Sequence, residues 1–432
     1  MKKVVRPLRE QFPRLLALTI TLALPGNLLF AKGTEAIALP PVIYADPHAL
    51  ADAKAGYLAG NSSLKPALDR LLESAQKALE DKPVSVMDKN HVGPSGDKHD
   101  FVSQAPYFWR DATGRYIRRD GERNPESGQD SDAGRIGKMC ADTHTLALAF
   151  YFTGEEKYAA HATEMLRVWF LNPATCMNPN LNYGQGIPGE VDGRPMGIIG
   201  TRGFVGLVDA IRLLQDSKSW TGADQQGMVV WMTQYLNWLQ TSKIGTGEGN
   251  ATNNHGTFYD TQVAAIAAFV GKTELAKEII TNARQKRVAG QIEPDGKMPR
   301  ELQRTKSFDY SVFNLRALTD LSCLGQNLGV DLWHYQTNDG RSIRKAMDFM
   351  ASYLDRDHKW PYQQIARVNR QSLAMLLLRA EPKYPDAHYE AALSKAGDEG
   401  LATSEERLLF KTGPIADRTA SRGNRAAGGS VE

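Results

Sequence analysis

Apolar positions recur at helical spacing through most of this chain, and they do so in pairs. In the first clear run, residues 64–80, Leu64, Ala67, Leu68, Leu71, Leu72, Ala75 and Leu79 share one helix face. Further on, helical patterns cover 142–152 with 156–170, 202–214 with 224–241, and 255–270 with 273–289. Three more follow at 310–328, 341–353 and 363–380, with a shorter one at 388–396. The hinges Thr153-Gly154-Glu155 and Gly271-Lys272 are short, so glycine ends one helix and the next begins at once. No alternating strand run of convincing length appears. Helix pairs that are apolar on two sides must stand side by side and curve round to bury both. Without a fixed-period repeat, this pattern predicts an all-α fold over residues 40–410: an incomplete (α/α) toroid, or barrel, of antiparallel helix hairpins.

Long loops interrupt the helices at 81–135, 172–201, 243–256 and 290–309, and in such a toroid they should gather at one end and form a cleft. The first is rich in Gly and Asp and carries Phe101, Tyr107, Phe108, Trp109 and Tyr116. It is expected either as a lid, with Lys98 and Arg110 reaching anionic groups and Tyr107 or Trp109 stacking on a ligand, or as a wall packed by those aromatics.

The ends read differently. Lys2, Lys3, Arg6, Arg9 and Arg14 precede a short apolar run starting at Leu15, with small residues near Ala31, which predicts a secretory signal at 1–31 and a periplasmic or secreted protein. No later segment is apolar enough to span a membrane, so no membrane association is expected after signal removal. Residues 411–432 hold too few apolar side chains to fold and are expected as a disordered tail.

In 432 residues with 42% hydrophobic and 23% charged, a large core is available. Lys plus Arg 52 against Asp plus Glu 49 is too balanced to argue for nucleic acid, so any anion site must be local. Cys140, Cys176 and Cys323 form neither a disulfide framework nor a metal pattern; buried free thiols, no metal and no cofactor are expected, in a monomer.

Two loop-to-helix junctions concentrate the polar chemistry. One is Gly249-Asn-Ala-Thr-Asn-Asn-His-Gly-Thr-Phe-Tyr-Asp260; the other runs from Arg300 through Arg304 to Tyr310. A neutral His can take a proton and a Tyr can give one, or take one if a neighbouring cation lowers its pKa. Asn and Arg donate hydrogen bonds to a carboxylate, Arg in a bidentate fork. Together Asn254, His255, Arg304 and Tyr310 suit removal of a proton beside a carboxylate, the demand of β-elimination on a uronic-acid polymer. Asn253 and Arg300, at the same junctions, are substrate-binding candidates.

Four segments carry a resemblance: Lys98-His-Asp-Phe-Val-Ser-Gln-Ala-Pro-Tyr-Phe-Trp109, Leu146-Ala-Leu-Ala-Phe-Tyr-Phe-Thr-Gly-Glu-Glu-Lys-Tyr158, Trp169-Phe-Leu-Asn-Pro-Ala-Thr-Cys-Met-Asn-Pro-Asn-Leu-Asn-Tyr183, and Asn253-Asn-His255 with Arg304 and Tyr310. In these the chain resembles the alginate-lyase superfamily of polysaccharide lyases, which are (α/α)-toroid enzymes. The resemblance implies a lyase that leaves unsaturated uronate ends on alginate, polymannuronate or glucuronan. It implies that Asn254 and Arg304 neutralise the carboxylate and that His255 assists or acts as base. Tyr310 would then be the acid, or both acid and base in a syn elimination. Lys98 to Arg110, Asn182, Tyr183 and Gln185 would line sugar subsites. One departure is that Gly-Thr-Phe-Tyr follows His255 where mannuronate lyases carry Ser-Tyr-Trp, which leaves the uronate open.

Two rivals use the same cleft. An (α/α)-barrel glycoside hydrolase needs two facing carboxylates, for which Asp260, Glu301 and Asp309 are the candidates. A non-catalytic glycan-binding protein would use Trp109 and Tyr107 as stacking platforms.

Overall fold

The computed structural model describes residues 37–410 apart from 61, 388 and 397–399. The segments read as signal and tail, 1–31 and 411–432, lie outside the described residues. From Ile37 on, the chain packs as one unit.

Fifteen α-helices are present among the described residues: α1 Pro47–Leu58, α2 Lys65–Ala78, α3 Asp132–Thr153, α4 Glu156–Leu166, α5 Phe204–Leu213, α6 Gly222–Thr241, α7 Lys243–Gly249, α8 Asn254–Phe269, α9 Thr273–Ala283, α10 Pro299–Leu302, α11 Ser307–Leu328, α12 Ile343–Ala351, α13 Arg370–Ala380, α14 Tyr389–Ala396 and α15 Glu406–Leu409. Helix α3 packs on α5, α5 on α8, α8 on α11 and α11 on α13, which makes an inner row. Hairpin partners α4, α9, α12 and α14 back it from outside, as the toroid reading expects. The rows differ in sequence for a physical reason. Outer α12 buries Ile343, Ala346, Met347 and Met350 on one stripe. Inner α8 is covered all round, with every residue but His255 buried, so its apolar positions show no face.

Both expected glycine hinges are real. Gly154 and Gly271 have φ of 72° and 82°, a region that a side chain disfavours. Other boundaries moved. α3 begins at Asp132, ten residues before the expected 142; Gly134 and Gly137 in its first turns weaken the helical signal there. The first half of the expected 243–256 loop is α7, capped by the Ser242 hydroxyl on the Gly245 amide. Residues 363–369 are irregular, and α13 starts at Arg370. Helix α1 escaped the pattern altogether; Asp46 caps it on His48 and Ala49, with Pro47 in the first turn.

The long loops stand ahead of the N-termini of α3, α5, α8 and α11, and short strands tie them together. Strand β1 Val102–Gln104 pairs in parallel with β4 Tyr183–Gly186, joining the first loop to the second. β2 Phe108–Arg110 and β3 Tyr116–Arg118 form a small antiparallel hairpin. Buried Lys89 pins the first loop, donating to the Val86 and Lys98 carbonyls at 2.6 and 2.7 Å and standing 3.1 Å from Asp132.

Candidate active site

The turn between α7 and α8 is arched over a buried cation. Arg287, fully buried, donates to the carbonyls of Ala251 and Gly249 and to both oxygens of Asp260, at 2.5 to 3.0 Å. The arch leaves no room at Gly256, where a Cβ would lie 2.0 Å from the Ala251 carbonyl oxygen and 2.3 Å from Arg287. The last turn of α7 then places Glu248, 1% exposed, with Oε1 at 2.7 Å from His255 Nδ1. That contact favours the tautomer with the proton on Nδ1 and a lone pair on Nε2.

Asn254 sits in the first turn of α8, and Glu301 of α10 clamps it. The carboxylate accepts the Asn254 backbone amide at 2.7 Å and its side-chain Nδ2 at 2.8 Å. Burial pushes the Glu301 pKa up, against the pull of the Asn254 bonds and of the Arg304 and His255 charges. Those pulls put both expected clusters within electrostatic reach of one buried carboxyl. Asn254 Oδ1, wholly buried, has no hydrogen-bond partner among the described residues.

Arg304 reaches the same place from the α10–α11 junction. It forks onto Asp120 of the first loop, Nε to Oδ1 and Oδ2 at 3.0 Å and Nη2 to Oδ1 at 2.7 Å. Its guanidinium carbon lies 3.6 Å from the Tyr310 ring centroid. The Tyr310 hydroxyl donates to the Tyr107 hydroxyl at 2.7 Å. Burial raises the Tyr310 pKa far above that of an ordinary phenol, the bond to Tyr107 adds to this, and the Arg304 charge only partly offsets it. Tyr310 is therefore a protonated hydroxyl around neutrality.

The other expected residues are spread around this cluster. Tyr107 joins it directly. Trp109 donates Nε1 to the Glu122 carbonyl at 2.9 Å, and Arg119 covers its ring at 5.3 Å. Arg110 is exposed and bonds Tyr116 at 3.1 Å, on the far strand of the same hairpin. Lys98 is half-buried, and Arg300 is exposed on α10. Asn253 caps α8 in extended backbone, without a side-chain cap bond. Asn182 accepts from Trp238 Nε1 at 2.9 Å, and Tyr183 and Gln185 lie on β4. Gln185 holds Arg194, its carbonyl and side-chain oxygens accepting at 2.9 and 3.2 Å.

Sequence reasoning missed Glu248, Asp120, Arg194 and Arg287. Each acts through a partner distant in the chain or across a turn, so no spacing rule marks it. The carboxylates weighed for hydrolysis are all engaged: Asp260 with Arg287, Glu301 with Asn254, and Asp309 with Gln364 at 3.0 Å. Cys140 and Cys323 are buried and free, as expected, while Cys176 is free but only half-buried.

A helical toroid whose loop face joins Asn–His to Arg–Tyr, with its carboxylates spent on holding them, fits an eliminating polysaccharide lyase rather than a hydrolase. The family described as alginate lyase matches residues 85–360. An alginate lyase structure from Bacteroides ovatus is 39% identical, with a TM-score of 0.83 over 86% of this chain and 100% of that one. Alginate lyase A1-III from a Sphingomonas species shares the fold at 18% identity and a TM-score of 0.56, over 85% of this chain and 97% of that one. A variant of A1-III complexed with a tetrasaccharide matches at 18% identity and a TM-score of 0.58, over 87% and 98%. No curated protein matches. The chain belongs to the alginate lyase family and is a polysaccharide lyase.

Proposed function

We propose that this enzyme cleaves alginate by β-elimination, with His255 as base and Tyr310 as acid. His255 Nε2 takes the proton from C5 of the uronate. The C5–H electron pair becomes the C4–C5 double bond, the C4–O bond breaks, and Tyr310 protonates the departing glycosidic oxygen. The observation that carries the division of labour is the contrast between the two groups: His255 has a carboxylate on Nδ1, while burial and Tyr107 keep the Tyr310 proton in place.

The uronate carboxylate must be neutralised for C5 to give up its proton. Asn254 is assigned to this neutralisation; its Nδ2 is held by Glu301, so the substrate carboxylate must take the place of that acceptor. Arg304 keeps one guanidinium edge on Asp120, and Arg194 adds a cation beside Gln185 and within electrostatic reach of Glu248. Lys98, Tyr107, Trp109, Arg110, Asn182, Tyr183, Asn253 and Arg300 complete the proposed wall of the cleft.

Alginate is favoured over glucuronan by the 39%-identical alginate lyase. The first position of the departure after His255 is set by the Arg287 arch, which demands Gly256. The basic and apolar N-terminal segment supports export to the periplasm or beyond. Incubation with polymannuronate, polyguluronate, glucuronan and a neutral glucan tests the reading. Unsaturated product is expected from an alginate block; product from glucuronan alone overturns the substrate, and none from any uronan overturns the function.

A further inference from the structure

Below the proposed catalytic residues the toroid is hollow. A cavity of about 840 Å³ lies within the inner row, lined among others by Phe258, Phe313, Arg202 and Arg316. Phe258 and Phe313 pack at 4.3 Å between ring centroids. Each stands three residues, one helical turn, after a proposed catalytic residue on its own helix: Phe258 after His255 on α8, and Phe313 after Tyr310 on α11. The cavity wall thus includes residues one helical turn further along α8 and α11 than His255 and Tyr310. From Asp309 to Asp320, both in its wall, α11 runs about 16 Å.

The far end is plugged. Tyr44 donates its hydroxyl to Asp320 at 2.7 Å, and Arg379 bridges Asp320 and Glu406 at 2.6 and 2.7 Å. Three backbone amides, Ile43 to Ala45, hang on buried Asp209 and fix the Tyr44 segment in place.

The wall contains both charges, but they are not equally available. Asp309 accepts from Gln364, Glu405 is paired with His144 at 3.0 Å, and Asp320 and Glu406 serve Arg379. Among the described residues Arg202 has no carboxylate partner; it donates to the Ile199 carbonyl of its own turn at 3.1 Å and stands 6.0 Å from the Phe313 ring. Arg316 is exposed to the cavity and touches Asp320 only at 3.7 Å. Burial and the neighbouring charges of Arg316 and Arg123 all work against the Arg202 cation. Arg202, crowded by neighbouring cations and without a carboxylate of its own among the described residues, is a position that an anionic guest stabilises, and Arg316, which shares Asp320 with Arg379, stands beside it.

We propose that this cavity takes the end of the uronan chain, with Arg202 and Arg316 pairing its carboxylates and the Tyr44–Asp320–Arg379 plug stopping its advance. The enzyme then cuts at a set distance from a chain end and releases short products of one dominant length. This inference rests on the lyase reading and deepens it.

The test combines binding with product analysis. Saturated alginate oligomers are titrated calorimetrically into the Tyr310→Phe protein and into the same protein carrying Arg202→Met or Arg316→Met. Each arginine change is expected to weaken binding about tenfold or more, as for a charged hydrogen-bond partner. Arg202→Lys, which keeps the charge, should retain more affinity than Arg202→Met, and melting curves identify any variant that has lost its fold. Wild-type enzyme on long alginate should give one dominant short product from the first turnovers. Unchanged affinity in both Met variants, or a broad early product ladder, overturns the proposal. If no uronan is cleaved yet oligouronate binding still depends on Arg202, the lyase reading falls and the anion cavity stands.

Discussion

Glu248 Oε1 meets His255 Nδ1 at 2.7 Å across the α7–α8 turn, and His255 Nε2 has no hydrogen-bond partner among the described residues. The pair orients the imidazole and fixes which nitrogen can accept a proton. Glu248→Gln can offer Nδ1 a donor instead of an acceptor and so favours the wrong tautomer. A fall in kcat of about 10- to 100-fold with KM little changed is expected. Wild-type kcat in a folded Glu248→Gln enzyme would remove His255 from the base role.

Tyr310→Phe deletes a proton donor and almost no contact area. Turnover should fall by about 10² to 10⁴ while oligouronate binding persists. Near wild-type kcat would exclude Tyr310 as the acid.

Tyr107 offers a sharper test, because its bond is one of the causes that hold the Tyr310 pKa up. Removing the bond with Tyr107→Phe lowers that pKa, so Tyr310 ionises, and ceases to be an acid, at a lower pH. In kcat-against-pH profiles the alkaline decline should begin earlier in the variant than in wild type. Identical alkaline limbs would mean that Tyr310 ionisation does not limit the reaction.

Asp120 ties the first loop to the site. Burial tends to raise its pKa, but bonds from Arg304 and Thr305 and the Arg304 charge outweigh this and hold it well below the ordinary carboxylate range. A carboxyl with a depressed folded-state pKa contributes stability above its unfolded pKa of about 3.9 and loses it as pH falls from there. Below about pH 4 the melting temperature should therefore drop more steeply in wild type than in Asp120→Asn. Parallel acid limbs would show that the bridge does not link the loop to stability.

Arg287→Met leaves Asp260 buried without its cation and the carbonyls of Gly249 and Ala251 without their donor. Breaking a buried pair from one side costs about 3 to 5 kcal/mol. Chemical denaturation should register that loss, and activity should fall with it because the arch carries Asn254 and His255. A variant as stable as wild type would show that the turn stands without the brace.

The helix pairs, their glycine hinges and the outer helices were legible in the sequence because period and turn chemistry are local. Inner α8 gave a helical run but no face, since a helix buried all round has none to show. Asn254, His255, Arg304 and Tyr310 stood out as residue types at loop-to-helix junctions. That they share surroundings could not be read there: Glu301 reaches back 47 residues to Asn254, and Asp120 reaches forward 184 to Arg304. The same holds for Arg287, which looks like an ordinary surface cation at the end of a helical run and is fully buried. Local spacing encodes the helices, because a helix satisfies its own backbone within four residues. Which carboxylate faces which cation depends on how the helices and loops pack, and only the tertiary structure decided it.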